Sequence, residues 1–124
     1  MLLFFFYRKT KLAVTDEGIY SNNYGEFLIK WETIDESFIV DDLKNSEYRP
    51  VLRTNGYSLG DVRFGWFKLK NGKSAQVVLQ IRTKCLVVFS GNKTYLFGPE
   101  DFDTFIQAVQ LHIDVSAGRK AEYD

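Results

Sequence analysis

The chain has little of what most small functional sites are built from. In 124 residues it holds one cysteine, one histidine, one methionine and two prolines, with no surplus charge of either sign. A lone thiol cannot close an internal disulfide, so the stapled scaffold of small secreted domains is excluded. One histidine and one cysteine cannot make a structural zinc site of the usual Cys/His kind within one chain. Sixteen basic residues balance sixteen acidic ones. Nucleic-acid binders carry a basic excess that neutralises phosphates, so nucleic acid is not an expected partner. Residues 2–7 form an apolar run far shorter than the roughly 20 residues that span a bilayer. The run also lacks the charged start and small-residue cleavage site of a secretory signal. Low-complexity linkers and internal repeats are absent from the sequence, and the length suits one domain with one core.

What the chain has in quantity is aromatic side chains, eleven Phe and seven Tyr among them. Flat rings fit a half-buried pleated surface, which favours strands over a helical bundle. Residues 2–7 read either as a first strand or as the tail of a membrane segment, with Arg8, Lys9 and Lys11 on its cytoplasmic side. Residues 12–14 can pair with 18–21 across a turn. Residues 26–31 alternate, putting Phe27, Ile29 and Trp31 on one face. Residues 34–40 form a further apolar segment, and 41–48 read as a polar surface loop. A short strand is expected at 51–54. Residues 64–70 and 74–80 flank Asn71 and Gly72, the residue pair of a two-residue type I′ hairpin. Residues 85–90 and 93–97 form another hairpin around Gly91 and Asn92. The end is helical: Pro99 suits a first helical position, acidic residues load the first turn, and Phe102, Phe105, Ile106, Val109 and Ile113 recur at helical spacing. The most informative stretch is residues 53–72, where Gly56, Gly60, Gly65 and Gly72 stand among β-rich residues. Strand glycines mark bulges, sharp bends or close backbone approach.

These residues resemble the bacterial pleckstrin-homology-like family. The resemblance rests on Arg53, Gly56, Gly60, Gly65 with Phe67, the Asn71–Gly72 pair, the closing YLFGPEDFDTFIQAV and the earlier IKWETI. It implies a mainly β (α+β) fold, a bent, partly open β-barrel of about seven strands with one C-terminal capping helix. It implies no catalytic residues. Many relatives are attached to membrane segments, which agrees with the second reading of residues 2–7. Gly98 stands where relatives tend to carry a better helix cap. The expected organisation is a single domain over residues 1–115 and a polar tail over 116–124.

Other constellations fall short of a chemistry. Gly72, Lys73 and Ser74 look like the end of a phosphate-binding loop, but Phe67 stands where that motif needs glycine, and a strand follows where it needs a helix. Cys85, in the strand-like CLVVF, reads as buried and inert; the alternative is a thiol-dependent enzyme pairing it with His112. The acids Glu32, Asp35, Glu36, Asp41 and Asp42 match no calcium loop and read as a solvated rim. No catalytic residue, cofactor or metal is expected. The candidate ligand or partner surface is Arg53, Tyr57, Arg63 and Trp66, provided they face solvent together, since an exposed Trp beside Arg makes a recognition hot spot. The function expected is a non-enzymatic binding or scaffolding domain, cytoplasmic, at the inner face of the cell membrane, with a protein or lipid partner. An alternative is a lipid-surface module that inserts Phe4, Phe5 and Phe6 and pairs Arg8, Lys9 and Lys11 with anionic headgroups. An open barrel also leaves strand edges through which copies of the chain can form a homo-oligomer.

Overall fold

Short alternating segments joined by tight turns produce the first sheet. In the computed structural model, which describes residues 5–7 and 11–116, β1 (Phe5–Tyr7), β2 (Leu12–Val14), β3 (Gly18–Asn22) and β4 (Glu26–Lys30) lie side by side in that order, all antiparallel. The register sets Val14 opposite Ile19 and Ile19 opposite Ile29, and it aligns Leu12, Ser21 and Phe27. One face of this sheet is therefore apolar, as the alternation in the sequence requires. Of residues 2–7, the part described is β1, a strand; the remainder of the N-terminal run, with Arg8 and Lys9, lies outside the described residues.

The second sheet is larger. It contains β5 (Glu36–Val40), β6 (Pro50–Leu59), β7 (Val62–Leu69), β8 (Ser74–Leu79), β9 (Cys85–Ser90) and β10 (Lys93–Gly98) in the order β5-β9-β10-β8-β7-β6. Neighbours are antiparallel except β10 and β8, which run parallel with Tyr95 opposite Gln76 and Phe97 opposite Val78. One edge, β5, is met by Ser116: the Ile39 N–H donates to the Ser116 carbonyl at 2.8 Å, and the Ser116 N–H donates to Ser37 at 3.1 Å. Residues 117–124 lie outside the described residues.

Both faces of the central strands are buried, which explains their near-continuous apolar sequence. Val78, Leu86, Val88 and Phe97 pack against the first sheet and the helix α1 (Phe102–Gln110). Val77, Leu79, Cys85, Val87 and Leu96 point the other way, into a second core with Phe38, Phe67 and Leu69. Residues 41–49 close that second core as a strap. Leu43 is its plug at 2% exposure, and Tyr48 meets Phe38 edge-on at 5.5 Å. Backbone hydrogen bonds pin the strap at three places: Leu43 N–H to Thr83, Asn71 N–H to Glu47 and Lys70 N–H to Arg49, at 2.8–2.9 Å. The outcome is the mainly β, bent and partly open architecture with one C-terminal helix that the resemblance implies. Ten strands stand among the described residues rather than about seven, because each short apolar segment keeps its own place in a ladder.

Two local expectations are corrected. The β7–β8 hairpin is not a two-residue type I′ turn, which needs positive φ at both central residues. Only Gly72, at φ +89°, has it; Asn71 does not. The Gly72 N–H donates to Leu69 and the Leu69 N–H to Lys73, the pattern of a three-residue loop ending in a bulge glycine. The Asn71 carboxamide oxygen accepts from the Lys73 N–H at 2.9 Å, which occupies the asparagine in shaping the loop. The helix begins at Phe102, three residues after Pro99. Gly98 is still in the ladder beside Leu79, its carbonyl taken by the N–H groups of Gln80 and Ile81. Gln80 Oε1 accepts from the Glu100 N–H at 3.1 Å, holding that residue outside the helix.

Candidate functional site: a cationic cleft beside β6

Strand β6 is one continuous strand of ten residues, where the sequence suggests only a short strand over 51–54. It hides its length because two bulges interrupt the alternation, between Pro50 and Leu52 and between Arg53 and Asn55. An extra residue at each bulge shifts side chains to the other face and breaks the period-two signal. Further on, Gly56 and Gly65 sit directly opposite each other in β6 and β7. Gly65 has φ +109°, and a Cβ there would lie 2.7 Å from both the Asn55 carbonyl and the Gly56 Cα. Tyr24, from the β3–β4 loop, lies over this point and donates its hydroxyl to Asn55 Oδ1 at 2.7 Å. The glycine run is thus backbone geometry, as its composition suggests. Gly65 permits a close approach, Gly60 turns β6 into β7 at φ +58°, and Gly72 ends the next loop.

The register separates the four residues singled out from the sequence. Arg53 is paired with Phe67, and Ser58 with Arg63, on the face that borders the second core. Tyr57 is paired with Phe64, whose ring it stacks against at 6.1 Å, and Asn55 with Trp66, on the opposite face. Arg53 and Arg63 therefore share a surface; Tyr57 and half-buried Trp66 do not join them. The condition that all four face solvent together fails, because β6 and β7 send alternate side chains to opposite sides.

In place of that set the fold assembles a cleft between the 41–49 strap, β6 and the β8–β9 connection. One compartment, about 410 Å³, is lined by Lys44, Arg49, Arg63 and Arg82 over an apolar floor that includes Leu43 and Leu79. Pro50, Val51 and Arg63 are shared with a second compartment of about 460 Å³ that holds Arg53 and Ser58. Among the described residues no carboxylate lines either compartment. Asp41, Asp42 and Asp61 gather instead in an adjoining depression, past Lys44 and Arg82, where Arg82 meets Asp61 at 3.6 Å. Among the described residues the positive charge with no ion-pair partner thus lies at the β6 end, on Arg49, Arg53 and Arg63. Arg63 is pre-ordered there: its Nη1 donates to the carbonyls of Gly60 and Val62. Its Nη2 and Nε have no hydrogen-bond partner among the described residues, and they form a fork whose geometry matches carboxylate or phosphate oxygens.

The thiol and the imidazole fall into separate places. Cys85 is fully buried in the second core, and burial pushes its thiol well above the ordinary range. His112 stacks on Trp31 at 4.5 Å, and Trp31 packs against the first core on the other side of the large sheet. A Cys85–His112 nucleophile pair is therefore not assembled. Of the clustered acids, Asp35 accepts from the Gly91 N–H at 2.8 Å and Asp42 from the Asn45 amide at 2.9 Å, both shaping turns. Lys44, Arg49 and Arg82 escape sequence reasoning because each sits in a polar connection. A basic residue there looks like any solvated one until the strap folds back over β6.

The family model for the bacterial PH domain matches residues 11–113. Comparison with curated proteins and with solved structures found no match.

Proposed function

The chain belongs to the bacterial PH domain family, and from that premise we propose that it is a non-catalytic binding domain whose cleft takes an anionic group of its partner. One observation carries this reading: the joined compartments present Lys44, Arg49, Arg53, Arg63 and Arg82 with no carboxylate of the described residues in their lining. A compartment of about 410 Å³ lies within the size range of ligand sites, roughly 300–1,000 Å³. Each hydrogen bond from a guanidinium to an anion contributes about 1.5–3 kcal/mol, so two or three of them support selective binding. In this reading the domain works in the cytoplasm, near the inner membrane face. Among the described residues no helix is long and apolar enough to cross a membrane.

Citrate, a compact tricarboxylate, is a suitable probe. Isothermal titration should show saturable binding that weakens with added salt and drops at least tenfold in the Arg49→Ala/Arg63→Ala variant. Equal binding by the variant and the parent protein, or none by either, overturns the proposal.

A further inference from the structure

Strand β6 supplies Pro50, Val51, Leu52, Arg53 and Ser58 to the lining of the cleft. Among the described residues this strand has β7 as its only ladder partner, and it stands last in the sheet order. The opposite edge, β5, is covered at Ser116, so among the described residues the large sheet has one protected edge and one bare one. Exposed apolar side chains lie along the bare strand: Val51 at 51%, Leu52 at 57%, Tyr57 at 45% and Leu59 at 67% exposure. A bare edge that also displays apolar residues is a template for a further strand. Past the second bulge, residues 55–59 are in regular register with β7, and they offer an uninterrupted stretch for pairing.

Resting on the reading of the cleft as an anion site, we infer that β6 receives an extended acidic segment of a partner protein as an added strand. The two faces of β6 define its pattern. On one side Arg53 and Ser58 border the cationic cleft; on the other Tyr57 and Leu59 offer apolar surface. A strand laid beside β6 sends alternate side chains to these two sides, and same-face neighbours on adjacent strands interact directly. The matching segment alternates acidic residues, toward Arg49, Arg53 and Arg63, with apolar β-branched ones, toward Tyr57 and Leu59. Main-chain hydrogen bonds supply affinity, and the alternating contacts supply selectivity. A second copy of this chain is a poor occupant. β6 contains no acidic residue, so self-pairing sets two arginine-lined clefts side by side, where like charges oppose one another. A lipid surface supplies anions but no backbone groups to satisfy the edge.

The test uses a labelled ten-residue peptide alternating Glu with Val or Thr, read by fluorescence anisotropy. A control peptide of equal charge has proline at every third position and cannot pair. The alternating peptide should bind at least tenfold more tightly than the proline peptide. Arg53→Glu, on an exposed residue, should weaken it a further tenfold while leaving the thermal midpoint within a few degrees. N-methylation of the peptide backbone should abolish binding to the unaltered protein. Equal binding of both peptides overturns the inference. So does citrate binding without peptide binding, which leaves the anion site standing; failure of both probes removes the two readings together. Binding to phosphatidylglycerol vesicles with no binding of the peptide, or a dimer in sedimentation that the peptide does not compete with, also overturns it.

Discussion

At the scale of single residues, Gly65 and Cys85 show how composition becomes constraint. Gly65 combines a left-handed φ of +109° with a backbone 2.7 Å from where a Cβ would stand, so Gly65→Ala adds conformational strain to a collision with main chain that cannot swing aside. The expected loss is about 2–4 kcal/mol, read as a lower urea midpoint. Gly25→Ala is the contrast: φ is +81° but the space is open, and the loss should stay near 1–2 kcal/mol. Equal losses at the two positions contradict the account. Cys85 predicts a pH dependence. Below the ordinary thiol range, near pH 8.5, the group is neutral in folded and unfolded chains and adds no slope. Above it the unfolded thiol ionises while the buried one keeps its proton. Stability then falls, by at most about 1.4 kcal/mol per pH unit. Burial raises Tyr95 as well, adding a loss of the same sign above roughly pH 10. Between pH 7.5 and 9.5 the urea midpoint of the parent protein should fall more than that of Cys85→Ala; parallel falls contradict the burial. The same thiol should resist labelling at neutral pH until the protein unfolds.

At the scale of elements, local chemistry was readable and long-range pairing was not. The hairpins at Gly18, Asn71–Gly72 and Gly91–Asn92 could be placed from turn residues and alternation, because a turn and its flanking strands are contiguous. The type of the middle turn could not, since φ at Asn71 is set by the ladder on either side. The apolar stripe of α1 is plain in the sequence, but the helix starts at Phe102 rather than at Pro99, because β10 extends to Gly98 through pairing with β8, a strand that ends nineteen residues earlier. Residues 41–49 are the sharpest case. The polar composition of residues 41–48 reads as a surface loop, and most of these side chains are indeed solvated, but the strap also plugs the second core with Leu43. Leu43→Ala should cost about 2–5 kcal/mol and, because Leu43 also floors the cleft, weaken citrate binding. Differential scanning calorimetry and titration of the one variant check both; a change under about 0.5 kcal/mol, the range of ordinary surface substitutions, contradicts the plug.

At the scale of the whole molecule, formal neutrality conceals a divided surface. Sixteen charges of each sign cancel in the sum, yet the fold collects Arg49, Arg53 and Arg63 at one end of a cleft and Asp41, Asp42 and Asp61 in the neighbouring depression. Half of the surface chosen from the sequence, Arg53 and Arg63, lies in that cleft, and half, Tyr57 and Trp66, lies across the sheet from it. The pairing register that separates them depends on two bulges, which composition does not announce. The measurement that reaches the central claim most directly is an amide-resolved NMR titration of the isotopically labelled protein with citrate. Saturable shifts should be confined to residues 43–53, 63 and 79–82, all with one dissociation constant and all suppressed in the Arg49→Ala/Arg63→Ala variant. Shifts scattered over the surface without saturation, or clustered around Tyr57 and Trp66 instead, contradict it.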